Sequence, residues 1–261
     1  MLLFCDGMPR SASTWVYNIV FALLKSAFPN ADIRRTQNEA SANGIEALGD
    51  GADWRILKCH RLDENAQNIL RAGNARAFYS YRDIYDAIAS FLVMFRFPLD
   101  QILRVMSESL DAYDFHCENG NFLSIDYESI VERPLQTIHL MAEFLGLSLP
   151  GSAIASIDEA HSLQAIKELS KNLKLLGEDR LVRSPVSCFD PESQWHVRHV
   201  RNGGIGYGRR YLSPVQIERI EDWIRTRRGP SKELLPKISN PSPFVNDAVP
   251  RDTPDAIGLG S

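Results

Sequence analysis

The chain has 261 residues, is 44% hydrophobic, and carries 29 Lys+Arg against 33 Asp+Glu for a formal net charge of −4. That length and apolar content support one sizeable core, so a single domain over residues 1–228 is expected, followed by a proline-bearing tail over 229–261 that is partly disordered or packed on the surface. The acidic balance argues against nucleic acid as a partner, the lack of an apolar run of about 20 residues argues against a membrane span, and Cys5, Cys59, Cys117 and Cys188 show no metal-binding spacing, so free thiols in a cytoplasmic protein without a metal centre are expected.

The first element is a short apolar strand, Leu2–Cys5, followed by Gly7-Met8-Pro9-Arg10-Ser11-Ala12-Ser13-Thr14-Trp15 and an apolar helix over Thr14–Phe28 that Pro29-Asn30 stops. A strand, a loop and a helix start in that order gather backbone N–H groups and hydroxyls at the positive end of a helix, a place for a phosphate-like anion. Against the NTPase pattern G-x-x-x-x-G-K-[ST], Gly7 and Thr14 match, but Ala12 replaces the second glycine and Ser13 replaces the lysine that reaches the β- and γ-phosphates. The cation is displaced to Arg10, and a triphosphate is a poor fit. Residues 31–53 are polar and Gly/Ala-rich and read as a loop over a site. The strand Arg55–Cys59 ends in Lys58-Cys59-His60. Alternation puts Lys58 and His60 on one face, where a histidine at a strand end is a candidate general base.

A helix over Leu62–Arg71 and a strand over Ala75–Tyr81 lead to Arg82-Asp83 and a helix over Ile84–Phe97, on which Ser90 lies two turns beyond Arg82 and near the same face. Then come a helix over Leu99–Cys117, a strand over Asn121–Asp126, and helices over Pro134–Leu145 and Leu163–Leu176. Residues 178–200 read as a second loop over the site, and Arg201-Asn202-Gly203-Gly204-Ile205-Gly206 adds a guanidinium with a glycine-rich backbone. The last helix is the best marked: Ser213 caps it, Pro214 begins it, Gln216 completes a capping box, and Ile217, Ile220, Trp223 and Ile224 form its buried stripe. Strands alternating with helix-length segments predict a three-layer α/β/α fold with a central four- to five-stranded parallel sheet. In such a sheet the strand ends converge on one crevice, so Arg10 and Arg82 should face a ligand that is anionic at two separated points.

These segments, in this order, resemble the sulfotransferases that use 3′-phosphoadenosine 5′-phosphosulfate (PAPS), over about Cys5 to Trp223. Pro9 through Trp15 is similar to the family's P-K/R-S-G-T-T-W loop, which implies that Arg10, Ser11, Ala12, Ser13, Thr14 and Trp15 hold the 5′-phosphosulfate end of the donor. Arg82 with Ser90, and Arg201-Asn202-Gly203, resemble the two 3′-phosphate segments; Tyr127-Glu128-Ser129 resembles the segment whose tyrosine contacts adenine. Lys58-Cys59-His60 resembles the Lys-Thr-His strand end, which implies His60 as catalytic base with Arg10 and Lys58 stabilising charge. The resemblance thus implies a P-loop NTPase-like sulfotransferase fold, PAPS as donor, PAP as product, no metal, and a small-molecule acceptor with a hydroxyl or amine. Departures are Arg10 where many cytosolic members have lysine, and Asn202 and Tyr207 in place of the late segment's usual lysine and aspartate. The alternatives are a P-loop kinase or nucleotide hydrolase, against which Ser13 argues, and a nucleotide-binding protein without catalysis.

His116, His139, His161, His196 and His199 read as residues without a role, and Cys59 as packed rather than nucleophilic. Residues 31–53, Phe91–Phe97 and 178–200 are expected to supply the acceptor pocket, but their composition names no acceptor. The oligomeric state stays open as well: the run from Arg209 to Glu218 is similar to the dimer stretch of relatives but has Pro214 where they have valine.

Overall fold

The computed structural model describes residues 1–37, 45, 51–173, 181–184, 187–197 and 204–236. At its centre runs Leu2–Gly7 (β1), six consecutive buried residues. Around it stand Ile33–Gln37 (β2), Trp54–Lys58 (β3), Ala75–Tyr81 (β4) and Phe122–Asp126 (β5), in the order β2-β3-β1-β4-β5 and parallel throughout. A strand covered on both faces needs apolar side chains at successive positions, which is why β1 reads as a continuous run. Successive residues still diverge: Leu3 and Cys5 join Ile56, Phe78 and Ile125 on one face, while Leu2 and Phe4 join Leu57, Ala75 and Ala77 on the other.

The first face is covered by Ser13–Ala27 (α1) and, later in the chain, by Pro134–Leu145 (α6) and Gly151–Ala160 (α7). Glu64–Arg71 (α2) and Leu99–Asn119 (α4) cover the second, and Ile84–Phe95 (α3) packs with α4 and Pro214–Thr226 (α9) in a cluster of its own. Tyr127–Glu132 (α5) follows β5, and Leu163–Asn172 (α8) follows α7. The three-layer architecture and the parallel sheet are those expected. From β1 the chain passes to one side of the sheet and from β4 to the other, so the strand order reverses around the central strand, where such folds place their ligand.

Four expectations are corrected. Within 31–53, Ile33–Gln37 is an edge strand; it carries Arg34 and Arg35, which an edge with one neighbour tolerates and a central strand does not. Within 178–200, Val182–Ser184 (β6) and Ser187–Phe189 (β7) form a short antiparallel pair, and Phe189 bridges to His196. Helix α3 stops at Phe95 because Arg96 takes a left-handed backbone at φ 56°. The short helices α5 and α7 were not anticipated. Of the expected helix Leu163–Leu176, residues 174–176 lie outside the described residues.

The stretch from Arg227 to Ser231, after α9, is bound to α4. Arg227 reaches Asp111 at 2.8 Å and Asp114 at 3.3 Å, and Asp114 also accepts the hydroxyl of Ser231 at 2.9 Å. Among the described residues no helix is long and apolar enough to cross a membrane.

Candidate active site

Three strand ends meet at the carboxyl edge of the sheet: β1 leads into residues 8–12 and α1, β3 into Cys59 and His60, and β4 into Arg82 and α3. The first loop turns sharply because Arg10 and Ala12 both hold a left-handed backbone at φ 68°. Ala12 is the N-cap of α1, and no side chain among the described residues caps that helix; the amides of Trp15 and Val16 donate to the carbonyl of Ala12, which leaves those of Ser13 and Thr14 to a ligand. Ser11 works from inside the loop. Its buried hydroxyl donates to the carbonyl of Met8 at 2.6 Å and lies 2.7 Å from Oγ of Ser80. It shapes the loop rather than lining the crevice. Ser13, Thr14 and Trp15 form the buried first turn of α1, and Nε1 of Trp15 donates to the carbonyl of His161 at 3.1 Å.

The structure brings Arg10, Arg82 and Ser90 together. Nε of Arg10 donates to Oγ of Ser90 at 3.0 Å, across 80 residues of chain. Nη1 of Arg82 donates to the carbonyl of Arg10 at 3.3 Å and Nη2 to that of Gly204 at 2.5 Å, and the guanidinium lies 3.9 Å over the ring of Tyr127. Nε of Arg82 is buried and has no hydrogen-bond partner among the described residues. A charged donor left unmade in a side chain only 11% exposed is costly, and an anionic oxygen is the partner that relieves it. The uncapped helix, the orphaned guanidinium N–H and the cluster of cations therefore fit a phosphate-bearing nucleotide.

Arg201, Asn202 and Gly203 lie outside the described residues. The segment resumes at Gly204 and is held by Asp86, whose carboxylate accepts the N–H groups of Gly206 at 2.8 Å and Gly208 at 2.5 Å. Gly208 is required for that approach, since a Cβ there would overlap the backbone of Tyr85 and Asp86. Asp86 also meets Nη2 of Arg82 at 3.4 Å. Its spacing of four from Arg82 at a helix start was the available signal for this role.

His60, half-buried, points Nδ1 at the carbonyl of Gly7, 2.6 Å away. A carbonyl only accepts, so the proton sits on Nδ1 and the lone pair on Nε2, which faces Nζ of Lys58 at 3.4 Å. Burial, then the charge of Lys58, pushes the imidazole down to about 3, with Arg10 and His196 adding to the depression. His60 is therefore neutral in the free protein near pH 7. Burial likewise pushes Lys58, 4% exposed, down to about 8, so its ammonium still predominates at neutral pH.

His196, read from the sequence as having no role, lies beside the candidate site. Burial, Lys58 and Arg10 hold its imidazole down to about 4, which places it in the field of the same cations. Its ring packs 5.1 Å from Phe189 and 6.4 Å from Phe95, joining the end of α3 to the segment after β7. That segment is fastened to α1: Nδ2 of Asn18 donates to the carbonyl of Ser193 at 2.8 Å, and the hydroxyl of Tyr17 to that of Glu192 at 3.2 Å. Nothing local in the sequence marks His196, because its place depends on this fold-back.

Residues 3–235 match the family model of the sulfotransferase domain. Among solved structures, mouse sulfotransferase SULT7A1 complexed with PAP is similar at a TM-score of 0.63 and 16% identity, over 89% of this chain and 86% of that one. Retinol dehydratase in complex with retinol and PAP is similar at 0.59 and 14% identity, over 88% and 83%. The same enzyme with androsterone and the inactive cofactor PAP is similar at 0.56 and 15% identity, over 88% and 82%. At these identities the likeness shows a shared fold. No curated protein matches the sequence.

Proposed function

The chain belongs to the sulfotransferase domain family, whose model covers residues 3–235, and on that premise we propose that it transfers a sulfuryl group from PAPS to the hydroxyl or amine of a small-molecule acceptor, with His60 as general base. The observation that carries this reading is the meeting of Arg10 and Lys58 around a neutral histidine whose proton is committed to Gly7, with Arg82 bound to the backbone of the Arg10 loop. PAP bound in the structural neighbours supports the adenine nucleotide, and the orphaned Nε of Arg82 supports a phosphate beside it. Neither a kinase nor a non-catalytic binder finds support in these matches.

In the reaction the acceptor heteroatom bonds to sulfur, the bond from sulfur to the bridging phosphate oxygen breaks, and the acceptor proton passes to Nε2 of His60. The hydrogen bond to Gly7 fixes which nitrogen carries the lone pair and holds the ring in place. Burial first, and then the charges of Lys58 and Arg10, keep the free imidazole a weak base; a polyanion bound against those cations offsets their share of the depression and raises its basicity. Arg10 stays protonated, so it stabilises the leaving oxygen by charge and hydrogen bonding, not by giving a proton. Lys58 and the α1 amides act on the same developing charge.

The acceptor side is read from Phe91, Phe95 and Phe97, whose ring centroids lie 5.0–6.0 Å apart, together with His196 and Phe189. An apolar wall of this kind suits a small organic acceptor, in keeping with the retinol and androsterone of the neighbours. The test is transfer of label from PAPS to a panel of phenols, alcohols and amines. His60→Ala is expected to lose about 10²–10⁴ in turnover, the usual contribution of a general base, with PAP affinity unchanged. Turnover near that of the parent removes His60 from this role.

A further inference from the structure

On the face of the sheet opposite Lys58 lies a titratable pair that the mechanism above does not use. Asp6 of β1, 0% exposed, and His116 of α4, 3% exposed, meet across 110 residues of chain, with Nε2 of His116 donating to Oδ2 of Asp6 at 3.2 Å. Phe122 stacks on the imidazole at 5.2 Å, and Tyr79 and Phe115 close it edge-on at 6.0 Å. A buried pair of this kind is weak support for stability, because apolar side chains of similar volume do as well. The second carboxylate oxygen points to another role.

Oδ1 of Asp6 accepts the N–H of Gly7 at 2.7 Å, and the carbonyl of Gly7 accepts Nδ1–H of His60 at 2.6 Å. Glycine is the softest link in a strand end, and Gly7 sits where any side chain would strike Ser80. It is held on every side: by Asp6 at its N–H, by His60 at its carbonyl, and by the bond from the N–H of Met8 to the carbonyl of Ser80 at 2.8 Å.

We propose that Asp6 and His116 are positioning residues for the base: the carboxylate, oriented by His116, fixes Gly7 so that its carbonyl keeps the proton of His60 on Nδ1 and the lone pair on Nε2. This rests on the reading of His60 as the base. Lys58, on the other face of the sheet, is faced by Cys5 from β1, by Arg10 from the loop and by His60 from its own strand end, with Cys59 beside it, and the charge of Asp6 reaches it only as the smallest of these influences. A negative charge there favours the ammonium, so removing it lets Lys58 lose its proton at lower pH. His60 in turn is faced by Lys58, Arg10, His196 and the Gly7 carbonyl.

Nitrogen NMR of the imidazoles tests this without any acceptor, and so apart from the transfer assay. In the parent, His60 is a single Nδ1–H tautomer. In Asp6→Asn it becomes a mixture with a tenth or more of the Nε2–H form, and PAP affinity by calorimetry stays within twofold. His116→Leu, which strands the carboxylate, gives the same mixture, whereas His116→Gln, whose amide still donates to Asp6, keeps the single tautomer. Should Asp6→Asn fail to fold, the contrast between the two His116 variants decides. A His60 that remains wholly Nδ1–H in Asp6→Asn and in His116→Leu overturns the proposal. If the tautomer shifts as described while His60→Ala turns over normally, the positioning stands and the assignment of the base falls.

Discussion

Ala12 holds a left-handed backbone (φ 68°, ψ 23°) with a β-carbon in place, at the position where the sulfotransferase loop pattern has glycine. The conformation costs an alanine roughly 1–2 kcal/mol, and glycine gives back roughly 0.4–1 kcal/mol through its freer unfolded chain. Ala12→Gly is therefore expected to raise unfolding free energy by about 0.5–1 kcal/mol in urea titrations, with a loss instead meaning that the Cβ packs to advantage. At this scale, short motifs made much of the site legible. Arg10, Lys58, His60 and Arg82 stand within a few residues of strand ends, and Ser90 lies two turns beyond Arg82 on the helix that follows, so spacing alone indicates facing. His196 and the Asp6–His116 pair were not legible, since the partners that draw attention to them (Lys58, Arg10 and Phe95 for His196, and each other for the pair) are 100 or more residues away and are set by the packing of whole layers.

Among the elements, those with strong local signals were read closely. Ala75–Tyr81 and Pro134–Leu145 carry the expected bounds, and Ser213 accepts from the N–H of Gln216 while Gln216 accepts from that of Ser213 at 2.8 Å, completing the capping box. Replacing Ser213 by alanine removes the cap from α9, whose Ile220 and Ile224 are buried against α3 and α4. An N-cap of this type contributes about 1 kcal/mol, so a matching drop in unfolding free energy is expected in chemical denaturation, with PAP affinity intact. No drop means that packing alone holds α9. The elements that escaped notice did so for physical reasons. The edge strand Ile33–Gln37 has no apolar alternation to display, and the pair Val182–Ser184 with Ser187–Phe189 is too short for periodicity to register.

For the molecule as a whole, function follows from where the sheet ends. Five parallel strands deliver the Arg10 loop, the Lys58–His60 strand end and the Arg82 turn to one edge, and the reversal of strand order around β1 opens the crevice between them. The chain carries a net charge of −4, yet this edge gathers cations, one of which has a buried N–H that no described residue meets. Local concentration of positive charge on an acidic protein is a specific anion site, not a general electrostatic surface. In the proposed function the nucleotide is the ligand on which the rest depends: it supplies charge that offsets the cations around His60, and the partner that Nε of Arg82 lacks among the described residues. Calorimetric titration of the parent protein and of Arg82→Ala with PAP tests this most directly. The parent is expected to bind, and Arg82→Ala to bind more weakly by about 1.5–3 kcal/mol, the worth of a hydrogen bond to a charged group. Equal affinity in the two proteins, or no binding of PAP by the parent, contradicts the account.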